Sequence, residues 1–334
     1  MAGKSTESRL LVEKYCGKHK NMPTLTLAKL IYSEKPDYFK NVEHVRDHIR
    51  YVRGLSGDKK RSGVKNKELL KPKEYKYNPF EDFPDGDDDL IEPIILPKVN
   101  NKILVLSDIH IPFHDTPAIK AAVKRGIEQK VNTVILNGDI LDIFSLSTHE
   151  KRPNKALMQR EIAEGKLFLE HLRKSFPTAK IYYTLGNHEH RLQRWLFAKA
   201  PEWLGTEIFE IRTLLEFGKY KIQEVPNQGI IMAGKLAIYH GDLHKGSGGV
   251  QPARWVYLKA RSSALIGHFH RTSNYIDKDL HGVVSGAWSA GCLCKLNPEY
   301  LRSNQWNHGA VIVSVENDGT FNVDNFIIDN GKVL

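Results

Sequence analysis

Apolar residues recur along this chain with two different periods, and the change of period divides it. In the first fifty or so residues the spacing is helical. Val42, Val45, Ile49 and Val52 follow one another at three, four and three, a single stripe of a helix that Gly54 would end as a left-handed cap. Leu27, Ala28, Ile31 and Tyr32 mark a second helix behind Pro23, capped by Thr24 or Thr26, and Leu10, Leu11 and Tyr15 mark a first. From Ser56 to Lys76 the pattern dissolves into a lysine-rich, glycine-containing stretch, and the acidic run Phe80–Pro93 continues it. Beyond Pro97 the short runs Lys102–Ser107 and Thr133–Gly138 are rich in Ile and Val, the composition of strands buried on both faces. Helical spacing fills 116–129 and 155–175, the latter with Ile162, Ala163, Leu167 and Leu169 as core candidates. A strand at 179–185, a helix from 189 and several strands after 220 follow. Residues 308–329 alternate around Asn317-Asp318-Gly319, a hairpin signal.

This pattern predicts a basic helical, helix-turn-helix-like domain over 1–55, a charged flexible linker over 56–97 and a layered α/β domain over 98–334. Charge sharpens the division. The net charge is +10, and residues 1–76 carry 19 Lys and Arg against 9 Asp and Glu, so the remainder is neutral. A block of this kind points to an anionic partner, nucleic acid before an acidic membrane surface; a solvated tail is the open alternative. Arg46, Arg50 and Arg53 recur at four and three beside the apolar stripe of the third helix, an arrangement suited to a major groove, with DNA expected ahead of RNA. No run approaches a membrane span, and the N-terminal residues contain no uninterrupted apolar core, so neither membrane nor secretory signal is expected. The three cysteines, Cys16, Cys292 and Cys294, make neither a disulfide framework nor a complete zinc site, and a reducing cytoplasm is the expected compartment.

The chemistry-bearing residues gather behind the apolar runs. The first predicted strand ends in Asp108 and His110, the second in Gly138-Asp139 and Asp142, the third in Gly186-Asn187-His188-Glu189. Two later strands end in His240 and in Gly267-His268 with His270. Each alone is an ordinary turn or surface histidine. Together they place oxygen and imidazole ligands at the carboxyl ends of five strands, where open α/β sheets bind ligands. The mixture of carboxylate, amide and imidazole suits borderline first-row divalent ions.

In this order the motifs resemble those of the calcineurin-like metallophosphoesterase superfamily, over roughly residues 100–330. The resemblance implies a four-layer α-β-β-α sandwich, with the C-terminal hairpin in its second sheet and the small all-α domain in front. It implies two divalent metals, Mn²⁺ first, with Fe²⁺ and Zn²⁺ open. Asp108, His110, Asp139 and His270 would hold one metal, and Asp139, Asn187, His240 and His268 the other. A water made acidic by both ions would attack phosphorus in line with the leaving oxygen. His188 would protonate that oxygen or steady the phosphate, with Asp142 orienting the imidazole, Glu189 as support and His190 at the surface. Arg191, Arg194 and Arg271 are candidate phosphate contacts, or else salt-bridged surface residues. The loop His240–Gly249, with His244 and Lys245, reads either as a cationic flap or as a plain loop. Where the protein serine/threonine phosphatase branch carries an arginine after the second aspartate, this chain has Ile143, which weighs against a protein phosphatase.

The family cleaves monoesters, diesters and pyrophosphates, and only the basic head discriminates among them. It favours a DNA nuclease. A small-molecule phosphomonoesterase and a non-catalytic nucleic-acid-binding protein with a structural metal are the alternatives. A basic head before such a domain also resembles metallophosphoesterases encoded by bacteriophages, which would place the protein in the host cytoplasm.

Overall fold

Three helices close on one apolar core at the start of the chain: α1 (Ala2–Lys18), α2 (Thr24–Glu34) and α3 (Val42–Val52). Val12 and Cys16 of α1, Leu27, Ala28 and Ile31 of α2, and Val45, Ile49 and Val52 of α3 form that core with Phe39. The computed structural model describes residues 2–73, 92–97, 101–148, 158–226, 229–244, 250–298, 301 and 303–334, with backbone alone for 2–6. The chain divides into two units, Met1–Asp88 and Asp89–Leu334. Asn41 caps α3 by accepting the His44 amide at 2.8 Å, and Gly54 takes a left-handed φ of 69° after it.

The head departs from the expected pattern in three places. Neither Thr24 nor Thr26 caps α2, because the helix begins at Thr24 directly behind Pro23, with no side-chain cap. Arg53 does not join a surface row. It is 2% exposed, and its guanidinium donates to the Met22 carbonyl at 2.7 Å and the His19 carbonyl at 3.1 Å. These carbonyls belong to the α1–α2 connection, so Arg53 ties that connection to α3 and is unavailable to a groove. Residues 56–73 are not all linker: α4 (Asp58–Ser62) follows α3, and Arg61 donates to the Lys71 carbonyl at 2.7 Å, folding this stretch onto the head. The acidic run and its three aspartates lie outside the described residues, apart from Glu92 and Pro93.

The second unit opens with β1 (Ile94–Ile95) and β2 (Asn101–Leu106), then α5 (Thr116–Glu128), β3 (Thr133–Asn137), α6 (Met158–Ser175), β4 (Lys180–Thr184) and α7 (His190–Lys199). There follow β5 (Ile222–Val225), β6 (Ile231–Ala233), β7 (Leu236–Ile238), β8 (Ala264–Ile266), β9 (Ser273–Lys278) and β10 (Val284–Ser289). The last strands are β11 (His308–Val315), β12 (Phe321–Asp329) and β13 (Lys332–Val333). One sheet has the order β13-β12-β11-β2-β3-β4-β5 and the other β1-β6-β7-β8-β10-β9.

Alternation along the strands explains the layers. Ile103 and Val105 of β2, Ile135 of β3 and Tyr182 of β4 point one way, onto Leu236 and Ile238 of β7 and Leu265 of β8, so the two sheets face each other. Leu104, Leu106, Val134, Leu136 and Ile181 point the other way, onto Ala118 and Ala122 of α5 and Leu169 and Leu172 of α6. The helix Pro252–Ala260 covers the far face of the second sheet through Ala253 and Val256. The order of layers is therefore α-β-β-α, as expected. Two details differ. On α6 the buried stripe is Glu161, Gly165, Leu169 and Leu172, while Leu167 is 54% exposed. The C-terminal hairpin β11–β12 joins β2 in the first sheet, with Val311 opposite Val105. Its alternating pattern fits the inner face of either sheet; the antiparallel pairing with β2 decides. No helix among the described residues is long and apolar enough to cross a membrane.

Candidate metal centre

β2, β3 and β4 run parallel in the first sheet, and β7 and β8 run parallel in the second, so five carboxyl ends meet at one rim of the sandwich. There the chain turns sharply. Asp108, His110, Asp139, His268 and His270 all adopt positive φ, from 50° to 66°. Non-glycine residues rarely occupy this left-handed region, and five in one cluster mark a site whose geometry outweighs local strain. Two glycines permit the crowding. A Cβ on Gly186 would lie 2.2 Å from Asp139 Oδ1, and one on Gly138 would lie 2.4 Å from His240 Nδ1.

The expected ligands come together in two overlapping groups. His270 Nε2 lies 3.2 Å from Asp108 Oδ1 and 3.1 Å from His110 Nε2, which is 3.9 Å from Asp139 Oδ2. His240 Nε2 lies 3.3 Å from Asp139 Oδ2 and 3.3 Å from Asn187 Oδ1, and His268 offers a nitrogen within 4.8 Å of Asp139 and His240. Asp139 belongs to both groups. His240 Nδ1 is held 2.8 Å from the Asn137 carbonyl, which leaves Nε2 to face the carboxylate.

The electrostatics suit cations. Burial works against every charge here, yet His270 and His240 overcome it at Asp108 and hold that carboxyl near 2. Asp139 is likewise held well below the usual range, by His240 and His188 against burial. In return, although burial opposes it, Asp139 and Asp108 lift His240 to about 10, and Asp108 lifts His270 to about 9. The buried carboxylates draw positive charge to this rim. With two Asp, one Asn and four His converging, the donor set fits two divalent first-row ions.

His188 sits beside the ligands without belonging to either group. Its Nδ1 lies 3.0 Å from the Asp142 carbonyl oxygen, and its Nε2 lies 3.0 Å from Arg191 and 3.8 Å from Asp139 Oδ2. The expected pairing with the Asp142 carboxylate is therefore looser than the backbone contact, at 3.6 Å. That carboxylate instead accepts from Arg191 at 3.0 Å and lies 3.3 Å from His110 Nδ1. Burial is outweighed by His110 and His188, so Asp142 stays ionised well below the usual carboxylate range. Arg194 donates to the Asn187 carbonyl at 2.7 Å from an exposed position, and Arg271 donates to Gln305. His190 is half-buried rather than at the surface, against Gln193 at 3.1 Å. His244 Nε2 lies 2.7 Å from the Tyr239 hydroxyl, while Lys245 and the glycines after it lie outside the described residues.

Glu189 is the keystone of two turns. Its Oε1 accepts from the amides of Ile140 and Leu141 and from the Tyr183 hydroxyl, and its Oε2 accepts from the amides of Asp139 and Gly186, all at 2.8–3.0 Å. Five donors on two oxygens describe an ionised carboxylate, although burial and the Asp139 charge push its pKa up. Glu189→Gln must turn an amide NH₂ toward at least two of those donors. The expected cost is about 2–4 kcal/mol of stability, at the buried-donor penalty for each lost bond. Urea unfolding would check it, and an unchanged midpoint would show that the turns hold without Glu189.

Two further side chains pack against His270. Cys294 Sγ lies 3.9 Å from His270 Nδ1, and the Trp306 ring centroid lies 4.1 Å from that of His270. Neither carries a motif; the pairing of Cys292 with His308 and of Cys294 with His114, with backbone bonds such as that from the Leu293 amide to the Asp108 carbonyl at 3.0 Å, brings this loop to the rim.

An α/β sandwich with carboxylate, amide and imidazole side chains converging at its strand ends defines a candidate metal-binding architecture. The model of calcineurin-like phosphoesterases matches residues 101–282, over half of the chain, and the chain belongs to that family. It is similar to the Gene 54 protein of Mycobacterium phage L5, at 26% identity over 182 residues, covering 52% of this chain and 70% of that protein. The Gene 54 protein of Mycobacterium phage D29 matches at 26% over 181 residues, with the same coverage of 52% and 70%. Among solved structures, a dimetal phosphatase from Danio rerio aligns with a TM-score of 0.37 at 10% identity, covering 71% of this chain and 98% of that one. A Vps29 single mutant from Entamoeba histolytica aligns with a TM-score of 0.37 at 11%, covering 70% and 96%.

Proposed function

We propose that the protein is a two-metal phosphodiesterase acting on nucleic acid, DNA ahead of RNA. The observation that supports hydrolysis is the convergence of seven ligand-type side chains beside His188, a histidine held between Asp142 and Arg191. Asp108, His110, Asp139 and His270 would hold one ion and Asp139, Asn187, His240 and His268 the other, Mn²⁺ first, supplying Lewis acidity and an acidified water. The chain's own part lies with His188. Its Nδ1–H donates to the Asp142 carbonyl, so Nε2 is the nitrogen that must carry a proton to a leaving oxygen. In the arrangement described here Nε2 accepts from Arg191. A substrate phosphate would draw the guanidinium onto its own oxygen and release Nε2 for protonation. Arg191 thus links phosphate binding to the readiness of the acid, while Arg194 and Arg271 stand as further phosphate contacts.

Nucleic acid as substrate rests on the head. With Arg53 buried and Arg46 paired to Glu43 at 3.1 Å, Arg50 is the member of the expected row that is exposed without such a partner among the described residues. Lys59, Lys60, Lys65 and Lys67 are also exposed, and they extend the basic surface beyond α3. The shortened arginine row favours the second reading, a phosphatase of small monoesters. End-labelled DNA, a phosphodiester chromogen and a phosphomonoester chromogen, each with Mn²⁺ and with chelator, separate the two. Chelator-sensitive DNA cleavage is expected. Replacing Lys59, Lys60, Lys65 and Lys67 together by Gln should flatten the salt dependence of DNA affinity by up to about 0.9 in log–log slope per lost phosphate contact. Rapid monoester turnover with intact DNA would sink the nuclease reading.

A further inference from the structure

One buried carboxyl near the centre has no part in the chemistry above. Glu161 lies in the core-facing stripe of α6 and is fully buried. Its Oε1 accepts the Phe144 amide at 2.9 Å, and Oε2 finds no hydrogen-bond partner among the described residues. Between that anchor and the metal centre stands Ile143, held at φ 51° and ψ 44°. A β-branched residue in the left-handed region is an outlier that its surroundings must enforce. Directly before it comes Asp142, whose carbonyl meets His188 and Arg191 and whose carboxylate meets Arg191. The Asp142 amide is tied to the Ile111 carbonyl at 2.9 Å, so the segment is pinned on one side by β2's exit and on the other by α6.

We propose that Glu161 is a positioning residue: its buried carboxyl accepts the Phe144 amide directly behind the left-handed turn at Ile143, and so aims Asp142 at His188 and Arg191. In a dry interior an amide turned inward needs an acceptor, and for Phe144 that acceptor is Glu161. An ionised Glu161 would compete with Asp142 for Arg191. Burial, opposed by the Phe144 amide and reinforced by the Asp142 charge, pushes its carboxyl up to about 8, which keeps it neutral at pH 7.

This inference rests on the reading of His188 as proton donor, and its test separates the two. Glu161→Met keeps the volume and removes the acceptor, and Glu161→Gln keeps the acceptor without charge. The full chain would be assayed with Mn²⁺ on an alkyl phosphodiester, and the ring nitrogens of His188 would be followed by NMR in the metal-free protein. E161M should lower kcat by about 10- to 100-fold, the cost of misplacing a group by an ångström. Metal content should stay unchanged and the His188 ring signals should move; E161Q should return both kcat and the signals toward wild type. If E161M does not fold, Glu161→Asp, with the carboxyl withdrawn by one methylene, takes its place with the same expectation. Wild-type kcat and His188 signals in E161M, or an E161Q as impaired as E161M, would overturn the proposal. Should the wild-type chain hydrolyse no phosphoester, the reading of His188 fails, and the NMR comparison alone still decides whether Glu161 holds the turn.

Discussion

Asp139→Asn is expected to abolish phosphoester hydrolysis, with kcat down by roughly 10³-fold or more, equivalent to about 4 kcal/mol of barrier. Asp139 is 1% exposed and belongs to both ligand groups, through His110 at 3.9 Å and His240 at 3.3 Å. An amide has the same shape and offers one neutral oxygen, so the fold should survive while both groups lose their shared charge. His240 should respond as well. Its proton is held to about 10 against burial chiefly by Asp139, and in the variant that hold is lost. Metal analysis of the purified variant gives the decisive count. Retention of two ions per chain with full activity would remove Asp139 from the centre of the mechanism.

His188→Ala should leave metal content intact and slow cleavage of an alkyl phosphodiester by about 10²- to 10⁴-fold, the usual contribution of a positioned general acid. The leaving group makes the prediction specific. A nitrophenolate departs without a proton, so the same variant should lose far less on a nitrophenyl ester. Equal losses on both would assign His188 to holding phosphate through its place beside Arg191, 3.0 Å away, and not to proton transfer. Glu189 offers an internal contrast, since its five donors support backbone and should affect stability before turnover.

The convergence of the candidate ligands was legible because metal chemistry restricts residue type and the sheet restricts place. Aspartate, asparagine and histidine behind Ile/Val-rich runs can be read without coordinates, since a parallel strand ends where its apolar run ends. Glu161 was not legible in this way. On α6 it reads as one more surface glutamate, and its burial follows from the helix phase that puts Gly165 and Leu169 against the sheet. Arg53 misled for the complementary reason. It sits one residue beyond Val52, at the border of the apolar stripe, and spacing alone cannot say whether a border arginine meets water or carbonyls. The answer lies in the α1–α2 connection, which presents the Met22 and His19 carbonyls to it.

The order of elements, the alternation of strand faces and the identity of the donor side chains at the strand ends are local properties, dictated by side-chain period and donor chemistry, and they stand in the amino-acid order alone. Which sheet receives the C-terminal hairpin, which nitrogen of His188 faces inward and which carboxylate serves Arg191 are set by contacts between residues far apart in the chain, as in the pairing of Val311 with Val105. Such contacts are chosen by the packing of whole layers, because several apolar faces of equal period compete for each partner. Only the folded chain resolves that competition.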